Sequence, residues 1–235
     1  MKRVITLVFA IILFAKSNVQ SQTKPNDFEA NSFKINNQFD FSVGATKGES
    51  IESLSYKHVW GLGKNKRWRV GGGLRFSAYQ GSNVNYESAP PKYAGKKDLT
   101  DTVFVPKARQ NNVALLLTAT YRIKKRLEIG FNIDLVGYSF GADQNTSFIS
   151  NGKARPTLAS ANGPTALLVG PNDLGMIRAE FMVGYWVLNN IMIRGGVSSL
   201  NTEYKTATEL QAGNSRFRRN SQLPFIAITF SPRHN

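Results

Sequence analysis

Residues 126–141, RLEIGFNIDLVGYSFG, set Leu127, Ile129, Phe131, Ile133 and Leu135 in strict alternation with Glu128, Gly130, Asn132 and Asp134. Successive side chains of a strand point to opposite faces, so the segment predicts a β-strand with one apolar face and one face carrying two carboxylates. Two solvents suit such a strand. In a water-soluble sheet the apolar face turns to the core, whereas in a barrel set in hydrocarbon it turns outward and the carboxylates turn inward.

The alternation recurs along the chain. Apolar parities run through Phe39, Phe41, Val43, Ala45; Leu54, Tyr56, His58, Trp60, Leu62; Trp68, Val70, Gly72, Leu74, Phe76, Ala78; and Val113, Leu115, Leu117, Ala119, Tyr121, Ile123. After the opening segment come Ile177, Ala179, Phe181, Val183, Tyr185, Val187; then Ile191, Ile193, Gly195, Val197; and finally Ile226, Ile228, Phe230. The expected count is eight strands, most about 9 to 13 residues long, which matches a tilted crossing of a bilayer. Gly63 to Arg67, Lys124 to Arg126 and Leu188 to Asn190 read as tight turns, and residues 80–112, 141–174 and 202–222 as long polar loops. Only Lys47 to Ser50 is short where a long loop is expected. An even-numbered antiparallel barrel with short periplasmic turns, long external loops and both chain ends at the periplasmic rim has this layout.

Charge supports the outward assignment of the apolar faces. The apolar parity of the eight segments holds no Asp, Glu, Lys or Arg, while the opposite parity carries Asp40, Lys57, Arg69, Arg75, Arg122, Glu128, Asp134, Arg178, Glu180 and Arg194. A basic residue facing lipid at mid-depth costs roughly 2 to 4 kcal/mol, and opposite charges gathered inside a narrow barrel satisfy one another. These ten are therefore expected to form an interior charge network, with Arg122 and Glu128 paired across the turn at Lys125. Eight strands leave an interior about filled by side chains, so the network reads as a polar core rather than an open channel.

The first residues read as an export signal. Lys2 and Arg3 precede an apolar run from Val4 to Ala15, followed by Val19 and Ser21 at cleavage-site spacing, so residues 1–21 are expected to be removed before Gln22. The run is too short for the roughly 20 residues of a membrane helix. The chain has no Cys, which excludes disulfides, thiolate chemistry and an acylated lipoprotein terminus. Its formal charge of +15 falls to +12 when Lys2, Arg3 and Lys16 leave with the signal and no acid does. In an exported protein that excess suits anionic membrane surfaces better than nucleic acid.

Aromatic residues gather where strands would leave the membrane, with Trp60, Trp68, Tyr121, Tyr185 and Phe230 toward the turns and Phe76, Tyr79, Tyr138 and Phe140 toward the loops. The basic turns Lys64, Lys66, Arg67 and Lys124, Lys125, Arg126 suit anionic lipid headgroups, and equally a plain solvated turn. Lys92, Lys96, Lys97, Lys107 and Arg109 make the longest loop positive, which would suit the phosphates of lipopolysaccharide. The apolar TALLVG, residues 165–170, would extend the sixth strand or cap the barrel mouth. VGGGLRF, residues 70–76, lacks the Lys and the helix of a phosphate loop, and Gly71 and Gly73 are expected to relieve crowding inside the barrel. The two histidines, His58 and His234, have no carboxylate-rich spacing around them, so no metal or cofactor is expected.

On this pattern residues 36–231 resemble the small outer-membrane β-barrel proteins, similar in size to the OmpA/OmpX type and in Phe/Gly/Asn-rich style to the outer-membrane β-barrel domain family of Bacteroidetes. The closing PFIAITF, with Ile226, Ile228 and Phe230, is similar to their carboxy-terminal insertion signal. The expectation is an all-β, eight-stranded antiparallel up-and-down transmembrane barrel, with residues 22–35 and 232–235 as periplasmic segments. It would be a monomeric, porin-like but plugged component of a Gram-negative outer membrane, in contact with outer-membrane lipids and lipopolysaccharide, and its long loops would meet an unidentified extracellular partner. No enzymatic role and no nucleic-acid partner are expected. Two alternatives stay open: a periplasmic soluble barrel in which Leu127 to Leu135 line a cavity for an apolar ligand, and a lipid-modifying outer-membrane enzyme.

Overall fold

The computed structural model describes residues 36–93, 100–150, 153–168, 170–210 and 213–232. The expected signal at 1–21, the segment 22–35 and residues 233–235 of the expected tail lie outside them. Eleven strands are described: β1 (Asn36–Thr46), β2 (Glu49–Leu62), β3 (Trp68–Ser88), β4 (Thr102–Arg122), β5 (Leu127–Phe140), β6 (Gln144–Ser150), β7 (Lys153–Ala161), β8 (Pro164–Ala166), β9 (Ile177–Trp186), β10 (Ile191–Thr206) and β11 (Arg216–Phe230). No helix among the described residues is long and apolar enough to cross a membrane.

All the pairings are antiparallel, and eight strands close on themselves. β1, β2, β3, β4 and β5 pair in sequence, β5 pairs with β9, β9 with β10, β10 with β11, and β11 returns to β1 through Phe39 opposite Phe230. A sheet closed on itself is a barrel and has no open edge in this storey. Three tight turns lie at one end, residues 63–67, 123–126 and 187–190.

The expectation of eight strands and three long loops is corrected here. The expected loops at 80–112 and 202–222 are largely strand, because β3 and β4 run on for 21 residues each and β10 and β11 for 16 and 15. The connection at 141–174 contains β6, β7 and β8. Above the eight-stranded ring these extensions form a second closed ring of six strands. β4 pairs with β6, β6 with β7, β7 with β10, and β11 with β3 through Phe217 opposite Ser88. The short turn at Lys47 and Gly48 makes this closure possible. It ends the β1–β2 hairpin low, where the Ser82 amide donates to the Gly48 carbonyl at 2.8 Å, and β3 and β11 converge above it.

The strands change character between the two storeys. In the eight-stranded storey Leu74, Phe76, Leu115, Phe131, Phe181 and Ile226 are exposed on the outside, Leu74 by 53%. Inward positions there are charged or polar, with Leu116, Met182 and Phe225 filling gaps. Higher on the same strands the outward positions become Gln80, Ser82, Asn85 and Glu87 on β3, Arg109 and Lys107 on β4, Ser199 and Asn201 on β10, and Gln222 and Asn220 on β11. The inward positions become Tyr79, Val84, Tyr86, Val103, Val105, Leu200, Tyr204, Phe217 and Leu223, packed in one apolar core with Ile51, Phe148 and Met176. The upper storey is thus built for water, while the lower one has its polarity inverted.

This inversion explains two misreadings. Tyr79, expected in the outer aromatic belt, is 1% exposed and points inward, because it falls on the inward parity just where the interior turns apolar. The outer faces lose their apolar residues at the same level, so the strand extensions carry the polar composition of loops. Parity also shifts there while the β3–β4 register is kept: Ser82 pairs with Lys107 and Val84 with Val105, and Ser82 with Asn83, and Pro106 with Lys107, are consecutive exposed residues. Asn83 takes φ 55°, a left-handed conformation that Asn tolerates better than most residues. Pro106 lacks the amide that a regular ladder position would need.

Gly73 shows how closely β2 and β3 approach. A Cβ there would sit 1.8 Å from the Tyr56 carbonyl oxygen, so glycine is required on this inward face. TALLVG pairs through Thr165 and Ala166 with Gly137 and Val136 of β5, above the point where β9 begins.

Candidate functional site

The ten charged residues expected inside all lie within the lower storey, each no more than 4% exposed. Strand alternation turns them inward and the ring's registers stack them in three groups. Nearest the turns, the Glu128 Oε1 accepts from Arg122 at 2.5 Å, from Arg69 at 3.1 Å and from the Trp186 Nε1 at 3.0 Å. Arg122 stands directly opposite Glu128 in the ladder. Above, Asp40 meets the Lys57 ammonium at 2.7 Å and Arg194 at 3.2 Å, and the Ser55 hydroxyl donates to it at 3.1 Å.

The third group spans the barrel. Arg75 reaches Asp134 at 3.2 Å and Glu180 at 2.9 Å, and Arg178 also reaches Glu180 at 2.9 Å. The Asn132 amide donates to Glu180 at 2.7 Å, and Arg178 donates to the hydroxyls of Ser198, Ser53 and Ser42 at 2.9, 2.9 and 3.2 Å. Six cations and four carboxylates share the space, and every carboxylate has a cation. Charges taken out of water persist only when paired and hydrogen-bonded. The arrangement therefore ties strands together across the lumen and fills it. His58 faces outward on β2, with its Nδ1 2.6 Å from the Asn37 amide oxygen, and His234 lies outside the described residues, as do Lys96 and Lys97.

Two further charged groups sit in the upper storey and escape an alternation-based reading. Glu49, at the top of the β1–β2 hairpin, accepts from the Tyr79 hydroxyl and from Arg219 at 2.8 Å each, and from the Ser221 hydroxyl. Glu203 is fully buried although it stands on the outward parity of β10. Arg216 at 2.5 Å, Arg218 at 3.3 Å and the Asn162 amide at 2.8 Å cover it. The sequence signal is the run RFRRN at 216–220, which shares its connection with two acids, Glu203 and Glu209.

Glu49 makes a pH-dependent contribution. Burial alone would raise its pKa, but hydrogen bonds from Arg219, Ser221 and Tyr79 and the Arg219 charge hold it below its ordinary 4.5. A carboxyl depressed in the folded state stabilises fully above its unfolded value and loses that contribution as pH falls through the folded one. Below about pH 4.5 the wild type should therefore lose stability on acidification more steeply than Glu49→Gln, read as the difference between their urea midpoints at neutral and acid pH. Parallel acid dependence in the two proteins would remove Glu49 from the account.

No protein-family model matches the chain, and no curated protein matches it. Among solved structures it is similar to Neisserial surface protein A, at 6% identity and a TM-score of 0.35 over 83% of this chain and 94% of that one. It is also similar to the Ralstonia pickettii toluene transporter TbuX, at 9% identity and 0.26 over 79% and 68%, and to the monoaromatic hydrocarbon channel CymD, at 9% identity and 0.21 over 85% and 88%. Likenesses of this size leave the class to the geometry, which defines a closed, antiparallel, up-and-down β-barrel with a filled, charged interior and an apolar outer belt.

Proposed function

We propose that the protein is an integral outer-membrane barrel of a Gram-negative envelope, monomeric and without enzymatic activity, that supports membrane integrity and presents its upper storey to the outside. The single observation that carries this reading is the inversion of polarity partway along continuous strands. A chain that is apolar outside and ionic inside at one level, then polar outside and apolar inside above it, matches hydrocarbon below and water above. The short turns then face the periplasm. The paired charges and the packed upper core favour a plugged barrel over a solute path. Outer-membrane lipids and lipopolysaccharide are its surroundings, and the polar, basic outer surface of the upper storey is where an extracellular partner would bind.

Because the chain contains no Cys, single cysteines can be placed without background. A spin label at Phe131→Cys should collide with oxygen dissolved in the bilayer, and one at Asn132→Cys should be shielded from both oxygen and aqueous nickel complexes. On intact cells, an impermeant maleimide should label Lys107→Cys and should reach Lys124→Cys only after lysis. Reversal of the first pair removes the membrane assignment, and reversal of the second inverts the orientation.

A further inference from the structure

The turns that join β2 to β3 and β4 to β5 lie side by side and enclose a cleft of about 600 Å3, lined by Lys64, Asn65, Lys66, Arg67, Arg122, Ile123, Lys124 and Lys125. Six of these eight residues are cationic and none is acidic. Arg122 is buried against Glu128, while Lys64, Lys66, Arg67, Lys124 and Lys125 are exposed around the opening. The walls are backbone-defined. Lys66 bonds back to the Gly63 carbonyl, the Arg122 amide donates to the Arg67 carbonyl at 2.9 Å, and the second turn closes through Ile123 and Lys124 on the Leu127 carbonyl.

Basicity is not a general dressing of this rim. The third turn, residues 187–190, is Val-Leu-Asn-Asn and carries no charge. Lys64, Lys66, Arg67 and Lys124, exposed around two neighbouring turns, repel each other, and an anion seated among them would relieve that repulsion. The cleft also has an apolar shelf. Trp68 and Tyr121 follow directly on Arg67 and precede Arg122, their ring centroids are 4.8 Å apart, and Trp68 is 58% exposed on the outer surface. Aromatic rings of this kind sit at the boundary between hydrocarbon and headgroups, which puts the cleft at phosphate depth.

We infer that this cleft holds the phosphate headgroup of an anionic phospholipid of the turn-side leaflet, with its acyl chains lying along Trp68, Tyr121 and Ile123. The inference rests on the membrane assignment above and adds a lipid class and a place for it. A point-like ammonium set and one free guanidinium suit a phosphodiester, and Ile123 and the aromatic shelf select a lipid over a small soluble anion.

The test uses the full protein with Trp60→Phe, which leaves Trp68 beside the cleft and Trp186 buried inside the barrel. It is folded into phosphatidylcholine vesicles containing a minor fraction of phosphatidylglycerol, with brominated acyl chains carried on one lipid or the other. Trp68 quenching by brominated phosphatidylglycerol should exceed that lipid's share of the bilayer on the order of threefold to tenfold. The excess should vanish in Lys64→Gln/Lys66→Gln/Arg67→Gln/Lys124→Gln/Lys125→Gln, and fall partway in the milder Lys124→Gln/Lys125→Gln. Quenching in proportion to lipid content, or an excess abolished by inorganic phosphate, overturns the inference while leaving the membrane assignment intact. Absence of quenching by either brominated lipid would instead sink that assignment.

Discussion

Glu180→Leu should lower the stability of the folded barrel by about 3 to 5 kcal/mol, the cost of removing one partner from a buried charge cluster. Its carboxylate lies 2.9 Å from both Arg75 and Arg178 and accepts from Asn132. Arg75 would keep Asp134, but Arg178, fully buried, would lose its salt bridge and be left with serine hydroxyls and the attraction of Asp134, which Arg75 already engages. The double variant Arg178→Leu/Glu180→Leu should recover most of that loss, because a buried pair replaced by apolar groups of similar volume is often neutral or stabilising. Urea unfolding out of lipid vesicles measures all three proteins against wild type, and the non-additivity of the cycle isolates the pair. A Glu180→Leu protein as stable as wild type would mean that water reaches these groups. The plugged interior would then give way to an aqueous path.

Leu74→Arg should cost about 2 to 4 kcal/mol, whereas Gln80→Arg, on the same outward face of β3 and six residues along, should change stability by less than about 0.5 kcal/mol. Both positions are exposed on the outer surface. In water alone neither substitution would matter, since each places a cation on solvent-facing strand. In a bilayer the first sits in hydrocarbon and the second above it, so the difference between the two reads the solvent directly. Equal effects would remove the apolar belt from the account, and with it the membrane reading.

Most of the lower storey was legible in advance because strand geometry is local. A period of two sends Leu127, Ile129 and Phe131 one way and Glu128 and Asn132 the other whatever the rest of the chain does, and a tight turn fixes the register of its own hairpin. That is why Arg122 and Glu128 could be paired from their spacing around Lys125. The pairing of Arg75 with Glu180 could not, because it crosses the lumen between strands 105 residues apart. It depends on the register of every strand between them, including the shift near Leu115 and Leu116.

The upper storey was hidden for a different reason. Val84, Tyr86, Val103 and Val105 alternate as regularly as the residues below them, but Ser82, Asn83, Pro106 and Lys107 shift the parity of β3 and β4, and the polar residues now point outward. A reading tuned to a hydrocarbon exterior therefore takes ordinary water-facing strands for loops.

Which residues share a face, where the tight turns fall and that one face is ionic can all be read along the chain, since these follow from the alternation of neighbouring side chains. Which carboxylate meets which guanidinium, the approach of β11 to β3 over the short Lys47–Gly48 turn, and the convergence of two basic turns into one cleft emerge only in the closed barrel. Each of these depends on closing the ring, and closure brings together residues whose separation along the chain carries no information about their distance in space.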